Sequence, residues 1–211
     1  MSFIQQTLTA LKLGGVMMYP LSLLCIIAIA LIFDKILFYK KLVNLPKSLF
    51  NLIETYDFSW SDLESQLAKL ANDNTYRKFF FIILENKKRP VWWIESRAAD
   101  EAKSIEKKLA RGLWILETIT TAAPLLGLLG TIIGMMSSFQ LIGENGLVNP
   151  SGVTGGVAEA LIATAFGLAI AVLSLFAFNY FSRQQDQVLD ELEQLGTRVI
   201  DHIKLDQNEN N

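Results

Sequence analysis

Histidine and cysteine are nearly missing from this chain. One histidine, His202, and one cysteine, Cys25, occur in 211 residues. A lone cysteine forms no disulfide within the chain. A lone histidine near the C-terminus leaves no Ser/His triad and no ordinary zinc cluster. Cys25 lies in an apolar run and reads as a small hydrophobe. The charged middle of the chain contains no glycine-rich phosphate loop of the P-loop form. No catalytic residue, metal or organic cofactor is therefore expected, and the chain does not read as an enzyme. A net charge of −2 gives no overall basic pull towards nucleic acid.

Charge is scarce too, at 19% of residues against 51% hydrophobic. That balance, with a mean hydropathy of +0.32, is more apolar than soluble domains show. The charges cluster in 34–111 and 183–209, which leaves three long uncharged runs. Leu13 to Phe33, Thr118 to Gly143 and Ala160 to Ser182 are each about 20 residues or more, enough to cross a bilayer core. The apolar run Phe79 to Leu84 is too short to span and reads as the buried face of a soluble helix.

The basic residues orient these spans. Lys35, Lys40 and Lys41 follow the first, Lys107, Lys108 and Arg111 precede the second, and Arg183 follows the third. The connection from Glu144 to Gly156 has no lysine or arginine. The N-terminus and that connection are expected outside, with the long middle segment and the C-terminus in the cytoplasm. The N-terminus lacks the basic region of a cleavable signal peptide.

The resulting plan is all-α. Residues 1–12 form an interfacial amphipathic helix, because Phe3, Ile4, Leu8 and Leu11 make an apolar stripe. The first span is 13–33 and a cytoplasmic helical domain is 34–112. The second span is 113–143, a short outer loop is 144–156, and the third span is 157–182. A cytoplasmic helix over 183–205 precedes a disordered tail, 206–211. Within the middle domain, Pro46 and Ser61 offer helix starts, Ser61 with Glu64 as a capping box. Asn72 to Thr75 reads as a turn. Trp93, Ala98, Ala102, Ile105 and Leu109 predict one long helix continuing into the second span. Val188, Leu192, Leu195 and Val199 predict that the third span also continues as a packed helix.

Small residues mark where the spans pack. At 100° per residue, Thr120, Ala123, Gly127, Gly130, Thr131, Gly134 and Ser138 share one arc of the second span. Leu125, Leu128, Ile132 and Met136 lie opposite. On the third span Ala160, Ala163, Thr164, Gly167, Ala171 and Ser174 share an arc, and Glu159 stands at its edge. A helix starting at Pro150 would put Glu159 roughly 13 Å along its rise. A charge in hydrocarbon costs several kcal/mol. Glu159 is thus the one residue whose position calls for a function, and a carboxylate that can gain and lose a proton suits proton transfer.

Two stretches, TAAPLLGLLGTIIGMMSSF (Thr121 to Phe139) and GGVAEALIATAFGLAIAV (Gly155 to Val172), resemble the paired signatures of the MotA/TolQ/ExbB proton-channel family. The match is specific over about a third of the chain, with the order of spans in support. Within the family the ExbB branch is most similar. TolQ shares both signatures and stands as the alternative, in the Tol-Pal envelope-maintenance system. The MotA branch has four spans and this chain three. The resemblance implies an inner-membrane ring, a homopentamer, around two copies of a single-span ExbD-like partner. Such a motor uses the proton gradient to energise a TonB-like protein. It places the family's intramembrane glutamate on Glu159, its pore-lining threonines on Thr131 and Thr164, and its second-span proline on Pro124. Gly127, Gly130, Gly134, Ala160, Ala163 and Gly167 are then packing or pore-lining positions. The ion implied is H⁺, with Na⁺ as the alternative. A passive membrane scaffold would need no buried carboxylate.

Overall fold

A computed structural model of the chain describes residues 15–43, 46–54, 58–143 and 150–209. These residues form seven α-helices and no strand. They are α1 (Met18–Leu42), α2 (Lys47–Glu54), α3 (Trp60–Ala68), α4 (Thr75–Glu85), α5 (Val91–Ala110), α6 (Leu113–Gly143) and α7 (Pro150–Glu209). Three stretches, on α1, α6 and α7, are long and apolar enough to cross a membrane. The all-α reading with three spans therefore holds. The amphipathic helix expected over 1–12 lies outside the described residues, as do 144–149 of the outer loop. The chain divides into two units, Met1–Phe33 with Gly112–Tyr180, and Asp34–Arg111 with Phe181–Asn211.

In the first unit, α6 and α7 lie antiparallel with their small stripes together. A Cβ added to Gly134 would come 2.9 Å from the Ala160 Cβ, and one on Gly130 2.8 Å from the Ala163 Cβ. One on Gly127 would come 3.0 Å from the Thr164 Cα, and one on Gly167 2.5 Å from the Ala123 carbonyl oxygen. Residue numbers fall along α6 as they rise along α7, as a short connection requires. Side chains reduced to hydrogen or methyl let the backbones approach, and dispersion and polar contacts then hold them. The bulky residues, Leu125, Leu128, Ile132 and Met136 on α6 and Leu161, Leu168 and Leu175 on α7, are exposed on the outer faces.

The second unit packs α2 to α5 with the C-terminal half of α7. Its core includes Leu63, Phe80, Ile83 and Ile94, together with Leu192, Leu195 and Val199 of α7. Asn74 caps α4 by accepting from the Tyr76 and Arg77 amides at 2.9 and 3.2 Å, which satisfies two otherwise orphaned donors. Tyr76 is buried and its hydroxyl donates to the Glu191 carboxylate. Lys35 is buried, and its ammonium donates to the Leu109 carbonyl in the last turn of α5.

Five expectations change in detail. The helix expected to rise unbroken into the second span is interrupted at Arg111 and Gly112, where Gly112 takes φ +81°. Glycine reaches that conformation without a Cβ clash. The buried stripe of α5 begins at Ile94, not Trp93. Trp93 sits half-exposed between the guanidiniums of Arg89 and Arg97, 6.0 and 5.1 Å from its ring. The cap of α3 is Ser59, and Ser61 lies inside the helix with its hydroxyl 2.8 Å from that of Ser59. The outer loop assigned to 144–156 is already helical from Pro150, the helix start from which the rise to Glu159 was reckoned. The supposed disordered tail is helical to Glu209. Trp60 Nε1 donates to Asp206 at 2.7 Å, and the Gln207 amide donates to the Lys87 and Arg89 carbonyls at 3.1 and 3.0 Å. Those side chains hold the last turns against the core.

Two outcomes follow from this packing. Burial and the Glu191 contact push the Tyr76 hydroxyl up from its ordinary value. The native state thus keeps a proton that the unfolded chain releases near pH 10. Stability from this group is complete below that pH and declines above it, as the unfolded state binds fewer protons. Tyr76→Phe is expected to cost about 1–2 kcal/mol at neutral pH. Its deficit against wild type should shrink above pH 10 in thermal melts of the detergent-solubilised protein; a constant deficit would contradict the assignment. Gly167→Leu should lower Tm by roughly 5 °C or more, because overpacking against backbone costs about 1–3 kcal/mol. Gly155→Ala should change little, as a Cβ there meets nothing within 4 Å among the described residues.

Candidate functional site

The small-residue seam has one carboxylate beside it. Glu159 stands in α7, immediately before buried Ala160, and is half-buried. It makes no hydrogen bond or ion pair among the described residues. Its side chain lies against Gly15, in the turn that leads into α1. A Cβ on Gly15 would overlap the Glu159 carboxylate oxygen and stand 2.6 Å from Cδ and 3.1 Å from Cγ. Gly15 takes φ +67°, and its carbonyl accepts from the Met18 amide at 3.1 Å. Two residues on, Met17 crosses to α6, with its Cβ 3.3 Å from where a Cβ on Gly130 would be. The entry turn of α1 therefore touches both α6 and α7 at the level of the carboxylate.

The two threonines behave differently. Thr164 donates across the seam to the Gly127 carbonyl at 2.7 Å. That bond is possible because Gly127 has no side chain and the backbones touch. Thr131 donates within its own helix to the Leu128 carbonyl at 2.7 Å and is half-exposed. No hydrogen bond joins Thr131 to Glu159 or Thr164 among the described residues. Pro124 lies inside α6 beside buried Ala123. It has no N–H, so the Thr120 carbonyl lacks its intrahelical donor.

Gly127, Gly130 and Gly134 of α6, with Ala160, Ala163 and Gly167 of α7, all occupy the contact between these two helices of one chain. Two further hydroxyls lie on the same faces. Ser138 is buried and donates to the Gly134 carbonyl at 2.9 Å. Ser174 is fully buried and its hydroxyl has no hydrogen-bond partner among the described residues. Among the described residues no group of three His, Cys, Asp or Glu side chains is placed to hold a metal ion.

The motifs of the second and third spans do not reveal Gly15, because the signal lies in the first. A Gly-Gly pair, 14 and 15, precedes the helix, and such pairs mark turns with special backbone angles. Nothing in that pair announces contact with a residue 144 positions later.

With this geometry in hand, the chain can be set beside known proteins. The model of the MotA/TolQ/ExbB proton channel family matches residues 70–194. The chain is 33% identical over 175 residues to a putative biopolymer transport protein ExbB-like 3 of Synechocystis, covering 80% of this chain and 81% of that one. It is 40% identical over 101 residues to the biopolymer transport protein ExbB of Aquifex aeolicus, covering 46% and 68%. The corresponding ExbB of Salmonella typhimurium is 38% identical over 114 residues, covering 54% and 45%. The matched stretch holds all of α6 and the seam-forming part of α7, with Glu159, Thr131 and Thr164 inside it. The chain belongs to the MotA/TolQ/ExbB proton channel family.

Proposed function

We propose that this protein is the ring-forming subunit of an inner-membrane proton-driven motor, and that Glu159 carries its protons. The observation that carries this reading is the Glu159 carboxylate. It stands in an apolar helix beside the α6–α7 seam, with no cation to pair with among the described residues. A permanent charge left so would be costly; one that is gained and lost as protons pass is useful. Family membership and ExbB-named relatives support the same assignment.

In this reading five copies form a ring around two single-span, ExbD-like helices, which bring a titratable carboxylate of their own. Neutralising a carboxylate removes a charge from a low-dielectric site and lets one helix move past another. One proton falling through 100 mV supplies roughly 2.3 kcal/mol, so the motor advances by repeated small steps. The output is passed to a TonB-like protein that acts on outer-membrane transporters. H⁺ is the proposed ion and no cofactor is needed. The N-terminus faces the periplasm and the C-terminus the cytoplasm.

Complementation tests this directly. The chain and its single-span partner are expressed in cells lacking both ExbB-type and TolQ-type proteins. Growth on chelated iron is scored against outer-membrane leakiness, and proton uptake is measured in vesicles in Na⁺-free and Na⁺-containing buffer. Wild type should restore iron-limited growth. Glu159→Gln and Glu159→Ala should abolish growth and proton uptake while the complex still assembles; a fully active Glu159→Gln protein would sink the proton role. Rescue of the envelope alone would place the chain on the TolQ side, and Na⁺-dependent activity would change the ion. Thr164→Val should reduce flux and growth more than Thr164→Ser, since serine keeps a donor for the Gly127 carbonyl. Equal activity of the two would reduce Thr164 to a packing residue.

A further inference from the structure

Gly15 is the residue on which the Glu159 side chain rests, and three consecutive side-chain atoms, Cγ, Cδ and Oε1, lie over it. A single grazing contact would involve the tip alone. Here Cδ and Cγ are close as well, so a Cβ at position 15 displaces the end of the side chain from the place it occupies. The turn is anchored from both directions: the Gly15 carbonyl holds the Met18 amide, and Met17 reaches Gly130 on the neighbouring helix. Behind the carboxylate, α7 is pinned against α6 by Gly134–Ala160 and Gly130–Ala163. The residue next to Glu159 is thus fixed in the seam, and the Glu159 side chain itself lies against a side-chain-free turn.

We infer that Gly15 is a positioning residue for Glu159, and that the entry turn of the first span sets the rotamer in which the carboxylate meets its proton. The inference rests on the proton-carrying role proposed for Glu159. Gly15 touches no reacting atom other than through that side chain. Its effect is to leave room for the carboxylate over the turn that precedes α1. The first span then contributes to the ion path through an absence, and the ring's proton site is built from all three spans of each subunit.

Two properties of Gly15 must be separated, its positive φ and its missing side chain. Asparagine tolerates positive φ far better than alanine, yet both carry a Cβ. The test uses the full chain with its single-span partner in membrane vesicles. Two quantities are read: proton uptake, and the rate at which dicyclohexylcarbodiimide labels Glu159, followed by mass spectrometry. Gly15→Ala and Gly15→Asn should both assemble, both cut proton uptake, and both change the labelling rate by about fivefold or more, the scale of coupling between touching residues. Shortening the partner should relieve the clash, so Gly15→Ala combined with Glu159→Asp should conduct better than Gly15→Ala alone. If Gly15→Asn behaves as wild type while Gly15→Ala fails, the glycine serves the backbone only and the inference is overturned. It is overturned equally if the double variant is no better than Gly15→Ala, or if labelling is unchanged. The labelling readout does not depend on conduction. A Glu159→Gln protein that still conducts would defeat the proton role, while a labelling shift in the Gly15 variants would still report the contact.

Discussion

Everything in the first unit depends on how closely two backbones can approach. At Gly127 and Thr164 the helices are near enough for a threonine hydroxyl to reach a carbonyl on the opposite helix at 2.7 Å. Apolar burial contributes little to such a contact in lipid, because the tails are as apolar as the side chains. Association must come from dispersion at short range and from polar contacts, and both fall away if one methyl too many is present. Four successive positions on α6 meet that condition against α7, in antiparallel order. The rotation and depth of α7 are consequences, and with them the place where Glu159 emerges.

The second unit is held by different physics. Its helices are amphipathic and bury Leu, Ile and Phe side chains as any soluble bundle does. The buried Lys35 and Asn74 side chains are both paired. The Lys35 ammonium meets the Leu109 carbonyl at the C-terminal end of α5, where the helix dipole favours a cation and the last carbonyls lack partners. Immediately after, Arg111 and Gly112 break the helix, and α6 begins. A lysine stem crosses apolar surface while its head satisfies an orphaned acceptor. The change from α5 to α6 therefore occurs where one side chain has closed off the end of the first helix.

Much of this was legible from the chain alone, and the reasons differ by residue. The spans were readable because hydrocarbon admits only helices and excludes charge, so Leu13 to Phe33 and its two counterparts declare themselves. The seam was readable because glycine and alanine at spacings of three and four have few other purposes in a span. Glu159 was readable as an exception to the same rule. Gly15 was not, because its importance comes from a partner far away in sequence, and a glycine pair states only that the backbone turns. The helical tail was missed for a related reason: Asp206 and Gln207 look solvent-seeking until Trp60 and the Lys87 and Arg89 carbonyls are placed beside them. Trp93 was misjudged because a spacing of five to Ala98 was admitted to the stripe where Ile94 fits at four, and two guanidiniums across the Trp93 ring keep it half-exposed.

The hydroxyls of the first unit and its Glu159 carboxylate differ in what they can do alone, and this separates structure from function. Thr118, Thr121, Thr131 and Ser137 each return a proton to a carbonyl three or four residues back in α6. A hydroxyl so satisfied is tolerable facing lipid, water or another helix, and therefore says little about which of these it faces. An ionised carboxylate has only acceptors and cannot satisfy itself against a helix whose amides are already bonded. It must find a donor, a cation or a proton. Glu159 finds no cation or donor among the described residues, and Gly15 offers it space in place of a side chain. Glu117, the carboxylate on α6, is exposed, whereas Glu159 is half-buried, and the role proposed for Glu159 is what would bring it a proton.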